Sequence, residues 1–154
     1  MQHCCTYLSP AGAVGLRLDN DGNIVFCRFT EGVLPNAPAP PACVCGALDA
    51  YFAGASNLSS LPVKPVGTVF QLEVWNAARR VPYGSTATYG QLAHAIGRPS
   101  AARAVAAALR ANPVQLFVPC HRIIGADGSL TGFRAGLHIK KYLLELEMNS
   151  QVCF

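Results

Sequence analysis

The hydrophobic pattern of the first thirty residues is that of short strands. Apolar and polar residues alternate in three runs, separated by turn sequences rich in Gly, Pro, Asn and Asp. A period of two places every second side chain on one face, which is typical of a half-buried strand. The predicted strands cover residues 4–9, 13–18 and 24–29. We therefore expect the chain to open as a β-meander or hairpin.

A loop, a helix and a linker are predicted after these strands. Residues 33–42 are rich in Pro and Ala, which excludes a helix or a central strand. Apolar residues recur at helical spacing over residues 44–52. Residues 54–65 are polar and contain Pro, as a linker does. We therefore assign residues 1–64 to an N-terminal α/β subdomain and residues 65–154 to a second domain.

The second domain has helical periodicity. The first of four predicted helices runs from the N-cap Thr68 to about Arg80, and the second covers residues 89–96, between the cap Thr88 and the stop Gly97. The third covers residues 101–111 after the cap Ser100. The fourth covers residues 137–147 and is followed by a tail. The second and third are joined by a short link that contains Gly, which predicts a helix-turn-helix. The expected fold is α/β, with a small sheet-and-helix subdomain packed on a mainly helical domain.

Composition limits the class of protein. No apolar run of the 154 residues is long enough for a membrane span, and the start Met1–Thr6 does not have the pattern of a secretory signal. The seven cysteines are irregularly spaced, which argues against a disulfide framework and for reduced thiols. We expect a cytoplasmic protein without a metal site, because the cysteines also lack zinc-site spacing.

Charge is unevenly distributed along the chain. Residues 1–64 carry three Lys/Arg and four Asp/Glu, a net charge of −1, whereas residues 65–154 carry nine and four, a net charge of +5. A polyanion is the natural partner of the basic half. A merely solvated basic face would give the same count.

The segment Pro119–Arg122 places a thiol beside an imidazole. Cysteine is a strong nucleophile only as the thiolate, and His121 and Arg122 could supply a base or a positive field to Cys120. A buried structural cysteine beside a surface histidine would have the same sequence.

The third predicted helix is unusually smooth. It consists largely of alanine, from which Arg103 and Arg110 project. Such a helix can approach a nucleic acid closely. An Ala-rich core helix with solvated arginines is the alternative.

Together, these elements resemble the DNA alkyltransferases that repair O6-alkylguanine. The resemblance covers roughly residues 67–147 and keeps one order: Gly67 to Gln71, Val74-Trp75, Pro82-Tyr83-Gly84, Thr88-Tyr89-Gly90, Leu92-Ala93, Ile96-Gly97, Arg103-Ala104-Val105, Asn112-Pro113, Pro119 to Gly125, Gly132-Phe133, Lys140, Leu143-Leu144 and Glu147. The first 64 residues match the family only in outline.

The resemblance implies a reaction and its residues. An alkyl group would pass irreversibly, once per molecule, from O6-alkylguanine or O4-alkylthymine in duplex DNA to Cys120. His121 would be the base, and Glu147 would orient its imidazole. His121 would act through a water, since we expect the segment to be extended and adjacent residues of an extended segment point to opposite sides. Asn112 would brace the turn before the acceptor, and Tyr89 would donate a proton to the departing guanine. No cofactor is expected, since the damaged base is itself the donor.

The resemblance also implies how DNA is held. The target base would be flipped out of the stack, and Arg103 would enter the gap from a helix in the minor groove. Further contacts are implied for Tyr89, Gly90 and Arg98. The pocket around the base would be lined by Phe133, Arg134, Gln115, Ile123 and Leu109. The partner is thus double-stranded DNA. We expect the protein to bind it as a monomer and not to associate with a membrane.

Three other functions fit parts of this sequence. A non-catalytic binder of alkylated guanine would not need Cys120. A cysteine hydrolase would use Cys120 and His121 but leaves the helix-turn-helix unexplained. A transcription factor would not need the set of Cys120, His121 and Glu147.

Overall fold

The computed structural model describes residues 3–55 and 58–152. Its elements are β1 (His3–Ser9), β2 (Gly12–Leu18), β3 (Ile24–Thr30), α1 (Ala42–Phe52), α2 (Val69–Arg79), β4 (Ala87–Thr88), α3 (Tyr89–Ala95), α4 (Ala102–Arg110), a 3-10 turn (Cys120–Arg122), β5 (Ile123–Ile124) and α5 (Leu137–Val152). This composition confirms the predicted mixed α/β class. Cys153, one of the seven cysteines counted above, lies outside the described residues.

Contacts divide the chain into two units. The first contains the chain up to Pro65 together with Pro113–Phe117, and the second contains Val66–Asn112 and the chain from Val118 onward. The functional assignment of the two parts stays a proposal.

The first unit is a three-stranded antiparallel sheet with α1. The strand order is β1-β2-β3, and Leu16 lies opposite both Cys5 and Cys27. Val14 and Leu16 of β2 are buried, as are Leu48 and Tyr51 of α1, so alternate strand residues form the core with one face of the helix. The three predicted strands are therefore confirmed.

A distant segment extends this sheet. The amide of Cys27 donates to the carbonyl of Pro113 at 2.8 Å, and the amide of Gln115 donates to the carbonyl of Cys27 at 2.8 Å. The sequence places residues 113–117 in the second domain. In the structure Val114 pairs with Cys27 of β3 in a single parallel bridge, and residues 115–117 form a turn in which Leu116 has a φ of +71°. The bridge satisfies backbone groups at the edge of the sheet.

In the second unit, α2 begins with a capping box and packs on α4. Thr68 Oγ1 accepts from the amide of Gln71 at 3.1 Å, and the Gln71 side chain accepts from the amide of Thr68 at 2.9 Å. The indole nitrogen of Trp75, itself 2% exposed, donates to the carbonyl of Ala108 at 2.8 Å. The two helices are therefore joined by a buried hydrogen bond as well as by apolar contact.

Helices α3 and α4 form the predicted helix pair. Thr88 and Gln91 make a second capping box at the start of α3, and Gly97, with a φ of +74°, ends the turn after it. The predicted cap Ser100 was wrong. The amide of Ala101 donates to the carbonyl of Arg98 at 2.9 Å, and this turn makes Ala101 the N-cap, without a capping side chain.

Two other predictions were wrong at the C-terminal end. Helix α5 extends to Val152 instead of ending near Glu147, because no Gly or Pro interrupts it. Residues Cys120–Arg122 form a 3-10 turn instead of an extended segment, closed by the amide of Arg122 on the carbonyl of Pro119 at 3.0 Å. None of the helices within residues 3–55 and 58–152 is long and apolar enough to cross a membrane.

Candidate active site

The 3-10 turn holds Cys120 against the end of α4. The Cys120 side chain is buried, and Asn112, two residues after α4, is 1% exposed. The side-chain amide of Asn112 donates to the carbonyl of Val118 at 3.0 Å and to Sγ of Cys120 at 3.3 Å. One amide group therefore fixes both the backbone before the thiol and the sulfur itself.

The surroundings keep the thiol protonated at rest. Burial raises the pKa of Cys120, since a thiolate loses hydration in a packed interior. The hydrogen bond from Asn112 and the charge of Lys140 act in the opposite direction and lower the pKa, but burial dominates. A thiolate is therefore formed only when a base removes the proton.

That base is available in His121, which is fully buried beside Glu147. Nε2 of His121 lies 2.7 Å from Oε1 of Glu147, and both side chains are 0% exposed. Burial lowers the pKa of His121, although Glu147 raises it in part. The imidazole is thus neutral. Because a carboxylate only accepts, Nε2 carries the proton and Nδ1 carries the lone pair.

Arg122 is the second partner of Glu147. Its Nε donates to Oε2 of Glu147 at 2.8 Å, its Nη2 donates to Oε1 at 2.9 Å, and its Nη1 donates to the carbonyl of Val81 at 2.9 Å. Burial alone would raise the pKa of Glu147, but the hydrogen bonds and charges of His121 and Arg122 lower it to about 2. Glu147 is therefore a carboxylate at any physiological pH.

The sequence reasoning missed this role of Arg122. It considered Arg122 as a source of positive field for the thiol, whereas the guanidinium is occupied by Glu147 and the Val81 carbonyl. A signal existed in the sequence: a carboxylate buried on the apolar face of α5 requires a cation, and an arginine beside the histidine can supply it.

Lys140 was also missed as a group near the thiol. It is 1% exposed, and its ammonium donates to the carbonyls of Ile123 at 2.5 Å and Thr131 at 2.8 Å. Burial lowers the pKa of Lys140, and Cys120 raises it in part. The signal was a lysine three residues before the apolar pair Leu143-Leu144, which places it on the buried side of the helix.

Tyr89 lies at the start of α3 and reaches the loop before α5. Its hydroxyl donates to the carbonyl of Thr131 at 3.0 Å, the same carbonyl that accepts from Lys140. A Cβ on Gly132, which has a φ of +63°, would lie 3.4 Å from this hydroxyl. That distance is an ordinary contact, so it is the left-handed backbone at position 132, and not the approach of Tyr89, that favours glycine there.

The predicted DNA-contacting residues lie on the outside of the second unit. Arg103 is exposed on α4, and Gly90 is exposed in the first turn of α3. Arg98 is half-exposed and contacts Glu73 at 3.3 Å, and its guanidinium lies 5.2 Å from the centre of the Phe70 ring. A phosphate would thus have to compete with Glu73 for Arg98.

The predicted pocket residues differ in exposure. Phe133 is buried and Arg134 is exposed, and both belong to the loop that reaches Tyr89. Ile123 and Leu109 are 0% and 5% exposed. Gln115 belongs to the first unit, where its side-chain oxygen accepts from the amide of Phe29 at 3.2 Å. The lining of a pocket therefore stays a prediction.

The structure links the four predicted residues in two pairs, Asn112 with Cys120 and His121 with Glu147 of α5, and the turn joins the pairs because Cys120 and His121 are consecutive in it. A neutral imidazole can accept a proton from a thiol, and the imidazolium that results would be stabilised by a permanent carboxylate. Among residues 3–55 and 58–152, no three His, Cys, Asp or Glu side chains are placed to hold a metal ion. The group is thus suited to attack by sulfur on an electrophilic carbon.

Comparison with known families identifies relatives of this arrangement. The family model described as the 6-O-methylguanine DNA methyltransferase DNA-binding domain matches residues 69–149. A methylated-DNA–protein-cysteine methyltransferase of Mycobacterium leprae is 50% identical over 156 aligned residues, which cover 96% of this chain and 93% of that protein. The protein of the same name from Methanosarcina acetivorans is 53% identical over 100 residues. That alignment covers 65% of this chain but only 64% of the relative, less than two thirds of its length.

A solved structure resembles the whole chain. The crystal structure of Mycobacterium tuberculosis OGT in complex with DNA superposes with a TM-score of 0.86 at 39% identity. The superposition covers 96% of this chain and 94% of the OGT chain.

Proposed function

Because the chain belongs to the methylated-DNA–protein-cysteine methyltransferase family, we propose that it repairs DNA by transferring the alkyl group of O6-alkylguanine to its own Cys120. The substrate is duplex DNA, and O4-alkylthymine is a second substrate. The observation that carries the proposal is the buried group formed by Cys120, Asn112, His121 and Glu147, in which Asn112 contacts the thiol and the next residue in the turn, His121, is paired with a carboxylate.

The reaction is a displacement at the alkyl carbon. The Cys120 proton passes to Nδ1 of His121 through a bridging water, as the family resemblance implies. The sulfur electron pair then forms the S–C bond, and the C–O6 bond breaks with its electrons going to the guanine. Tyr89 donates a proton to the departing base, since a neutral base leaves more readily than its anion. The tyrosinate then regains a proton from water, and His121 returns the Cys120 proton to the solvent. The thioether that results is stable, so each molecule acts once.

The scaffold holds the nucleophile for this attack. The hydrogen bond from Asn112 fixes the position of Sγ, and a positioned nucleophile needs less entropy loss on the way to the transition state. Glu147 stabilises the imidazolium after proton transfer. The reaction requires no cofactor, because the damaged base supplies the alkyl group and DNA binding supplies the orientation.

DNA is bound through the helix pair. The target O6 lies within the base stack, so the nucleotide must rotate out of the duplex. The exposed Arg103 on the smooth helix α4 is our candidate for the side chain that fills the gap. Gly90, Tyr89 and Arg98 are our candidates for backbone contacts. Phe133 and Arg134 are the pocket candidates on the loop beside Tyr89.

The remaining assignments follow from the same chemistry. One chain supplies the whole acceptor group, so we propose that the protein acts as a monomer. An acceptor thiol has to stay reduced, which favours the cytoplasm. The first unit, residues 1–64 with the added segment, is proposed to support the transfer domain.

The decisive experiment follows a radiolabel from DNA to protein. Duplex DNA carrying labelled O6-methylguanine is incubated with the protein, and we expect transfer of one label per molecule. The Cys120→Ala variant should transfer none, whereas the exposed-thiol control Cys4→Ala should transfer normally. The Arg103→Ala variant should lose more activity on duplex DNA than on the free modified base.

Other outcomes separate the alternative functions. Tight binding with the label left on the DNA would favour a non-catalytic binder. Release of the label into solution with repeated turnover would favour a hydrolase. Equal losses of Arg103→Ala on the duplex and on the free base would argue against its role in base flipping.

A further inference from the structure

Three polar side chains of the second unit form a buried chain of hydrogen bonds. His121, Glu147 and Arg122 are 0%, 0% and 7% exposed. The carboxylate accepts from His121 on Oε1 and from the guanidinium on both oxygens, at distances between 2.7 and 2.9 Å. Arg122 and Glu147 thus form a bidentate ion pair whose net charge is zero. The imidazole of His121 is hydrogen-bonded to the carboxylate of this pair.

We propose that Arg122 is a positioning residue of the transfer reaction, which acts through Glu147 to keep His121 neutral and to hold its Nε2–H toward the carboxylate. This inference rests on the proposed function only in that His121 is the base of that reaction. Arg122 itself does not touch the thiol or the substrate; it determines the state of the group that does.

The physical reason is a balance of charge. A buried histidine beside a lone carboxylate is drawn toward the imidazolium form, because the opposite charge stabilises the added proton. An imidazolium cannot act as a base. The permanent charge of Arg122 offsets part of that attraction, since it lowers the pKa of His121, after the larger effects of burial and of Glu147. The histidine therefore keeps a lone pair with which to accept the Cys120 proton.

The geometry also fixes the direction of the imidazole. Both oxygens of Glu147 are held by the guanidinium, so the carboxylate cannot rotate. Nη1 of Arg122 donates to the carbonyl of Val81, and the guanidinium lies 5.6 Å from the centre of the Tyr83 ring. Arg122 is therefore anchored to the segment between α2 and α3 as well as to α5, and this anchor sets the position of the carboxylate.

The other charged groups around His121 are few. From α5, Glu147 and Lys140 face it, and Lys140 acts in the same direction as Arg122. From its own turn, the neighbours are Cys120 and Arg122. Helix α2 also packs against the turn. Its charged residues are Glu73, which pairs with Arg98, and the exposed Arg79. Arg122 is thus the cation in direct contact with Glu147.

The test measures the titration of His121 and the rate of transfer in the same variants. In Arg122→Met the lone Glu147 should draw a proton onto His121, so the imidazole should titrate at higher pH than in the unmodified protein. The acid limb of the pH–rate profile should move with it, and for a shift of one unit the rate on that limb falls about tenfold relative to the variant's own plateau. The Arg122→Lys variant keeps the charge and should keep the limb in place, with only a lower plateau.

Two further variants keep the test decisive. If Arg122→Met does not fold, Arg122→Gln removes the charge but retains a donor for the Val81 carbonyl. Combining Arg122→Met with Glu147→Gln should move the limb back to lower pH, because no carboxylate is left to attract the proton. A uniform loss of rate at all pH values, with an unchanged His121 titration, would overturn the proposal and leave Arg122 a purely structural residue.

The titration distinguishes this inference from the proposed function. Nitrogen NMR of His121 is recorded on the free protein without DNA. A protein that transfers no label would refute the alkyl transfer, yet a shifted titration in Arg122→Met would still support the effect of Arg122 on His121. A protein that transfers label with an unshifted titration would refute only the role of Arg122.

Discussion

At the scale of single residues, the acceptor group is defined by burial as much as by residue type. Cys120 is a protonated thiol because it is buried, and His121 is a neutral base for the same reason. A solvent-exposed pair with the same sequence would titrate near its ordinary values. Burial therefore keeps the proton on the thiol and off the imidazole near neutral pH.

The buried histidine makes stability depend on pH. The pKa of His121 in the folded protein lies below its unfolded value of 6.5. Below pH 6.5 the unfolded chain therefore binds more protons than the folded one, and the free energy of unfolding falls as the pH decreases. Glu147 stays ionised in this range, since its pKa is about 2. Urea unfolding between pH 6.5 and 4.5 should show a loss of up to about 1.4 kcal/mol per pH unit.

Two variants isolate the source of this dependence. His121→Gln should flatten the curve between pH 6.5 and 4.5, because the titrating group is gone. The exposed control His94→Gln, on α3, should leave the slope as it is. A slope that persists in His121→Gln would mean that another group is responsible.

At the scale of elements, the helix starts could be read from the sequence where a side chain makes the cap. Thr68 and Thr88 are three residues before Gln71 and Gln91, and both pairs form capping boxes. Ser100 has the right residue type, but the turn after Arg98 shifts the start of α4 by one position. The preference of Ser for the N-cap position was outweighed there by a backbone hydrogen bond, which cannot be predicted from the residue types.

The caps can be tested by removing each hydroxyl. Thr68→Ala and Thr88→Ala should each lower the free energy of unfolding by about 1 kcal/mol, since each leaves a helix N-terminus without its acceptor. Ser100→Ala should change it by less than about 0.5 kcal/mol.

Only Thr88→Ala should also slow alkyl transfer, because Tyr89 is the first residue of α3. Chemical denaturation and the label assay measure both effects, and an equal loss for Ser100→Ala would contradict the observed start of α4.

At the scale of the whole molecule, the net charge of +5 on residues 65–154 remains after two ion pairs have been set aside, because each pair is neutral. Arg122 is neutralised by Glu147 in the interior, and Arg98 is paired with Glu73 at the surface. Arg103 and Arg110 remain exposed on α4. Arg79, Arg80 and Arg134 are exposed as well, so the exposed positive charge of the second unit includes the helix pair but is not confined to it.

This distribution predicts a salt dependence for DNA binding. Replacing Arg98 by Ala should weaken binding and reduce the slope of log affinity against log salt by about 0.9, the value for one lost phosphate contact. Glu73→Gln should tighten binding about two- to fivefold, because a surface carboxylate no longer competes for Arg98.

The control for this prediction lies in the first unit. The guanidinium of Arg17 lies 4.7 Å from the centre of the Phe26 ring. The Arg17→Ala variant should leave the slope of log affinity against log salt unchanged. Fluorescence anisotropy with duplex DNA at several salt concentrations gives the slopes. An unchanged slope in Arg98→Ala would remove Arg98 from the set of phosphate contacts.

The sequence by itself determined the mixed α/β class, the three strands, the capped helices and the adjacency of Cys120 and His121, since these depend on periodicity, turn residues and local order. Through a family resemblance it also pointed to Asn112 and Glu147. The tertiary structure decided how these groups are paired. It placed Arg122 on Glu147, buried Lys140 where its charge acts on the thiol, and joined residues 113–115 to β3. These outcomes depend on which distant groups need a partner once water is excluded, and no local pattern records that need.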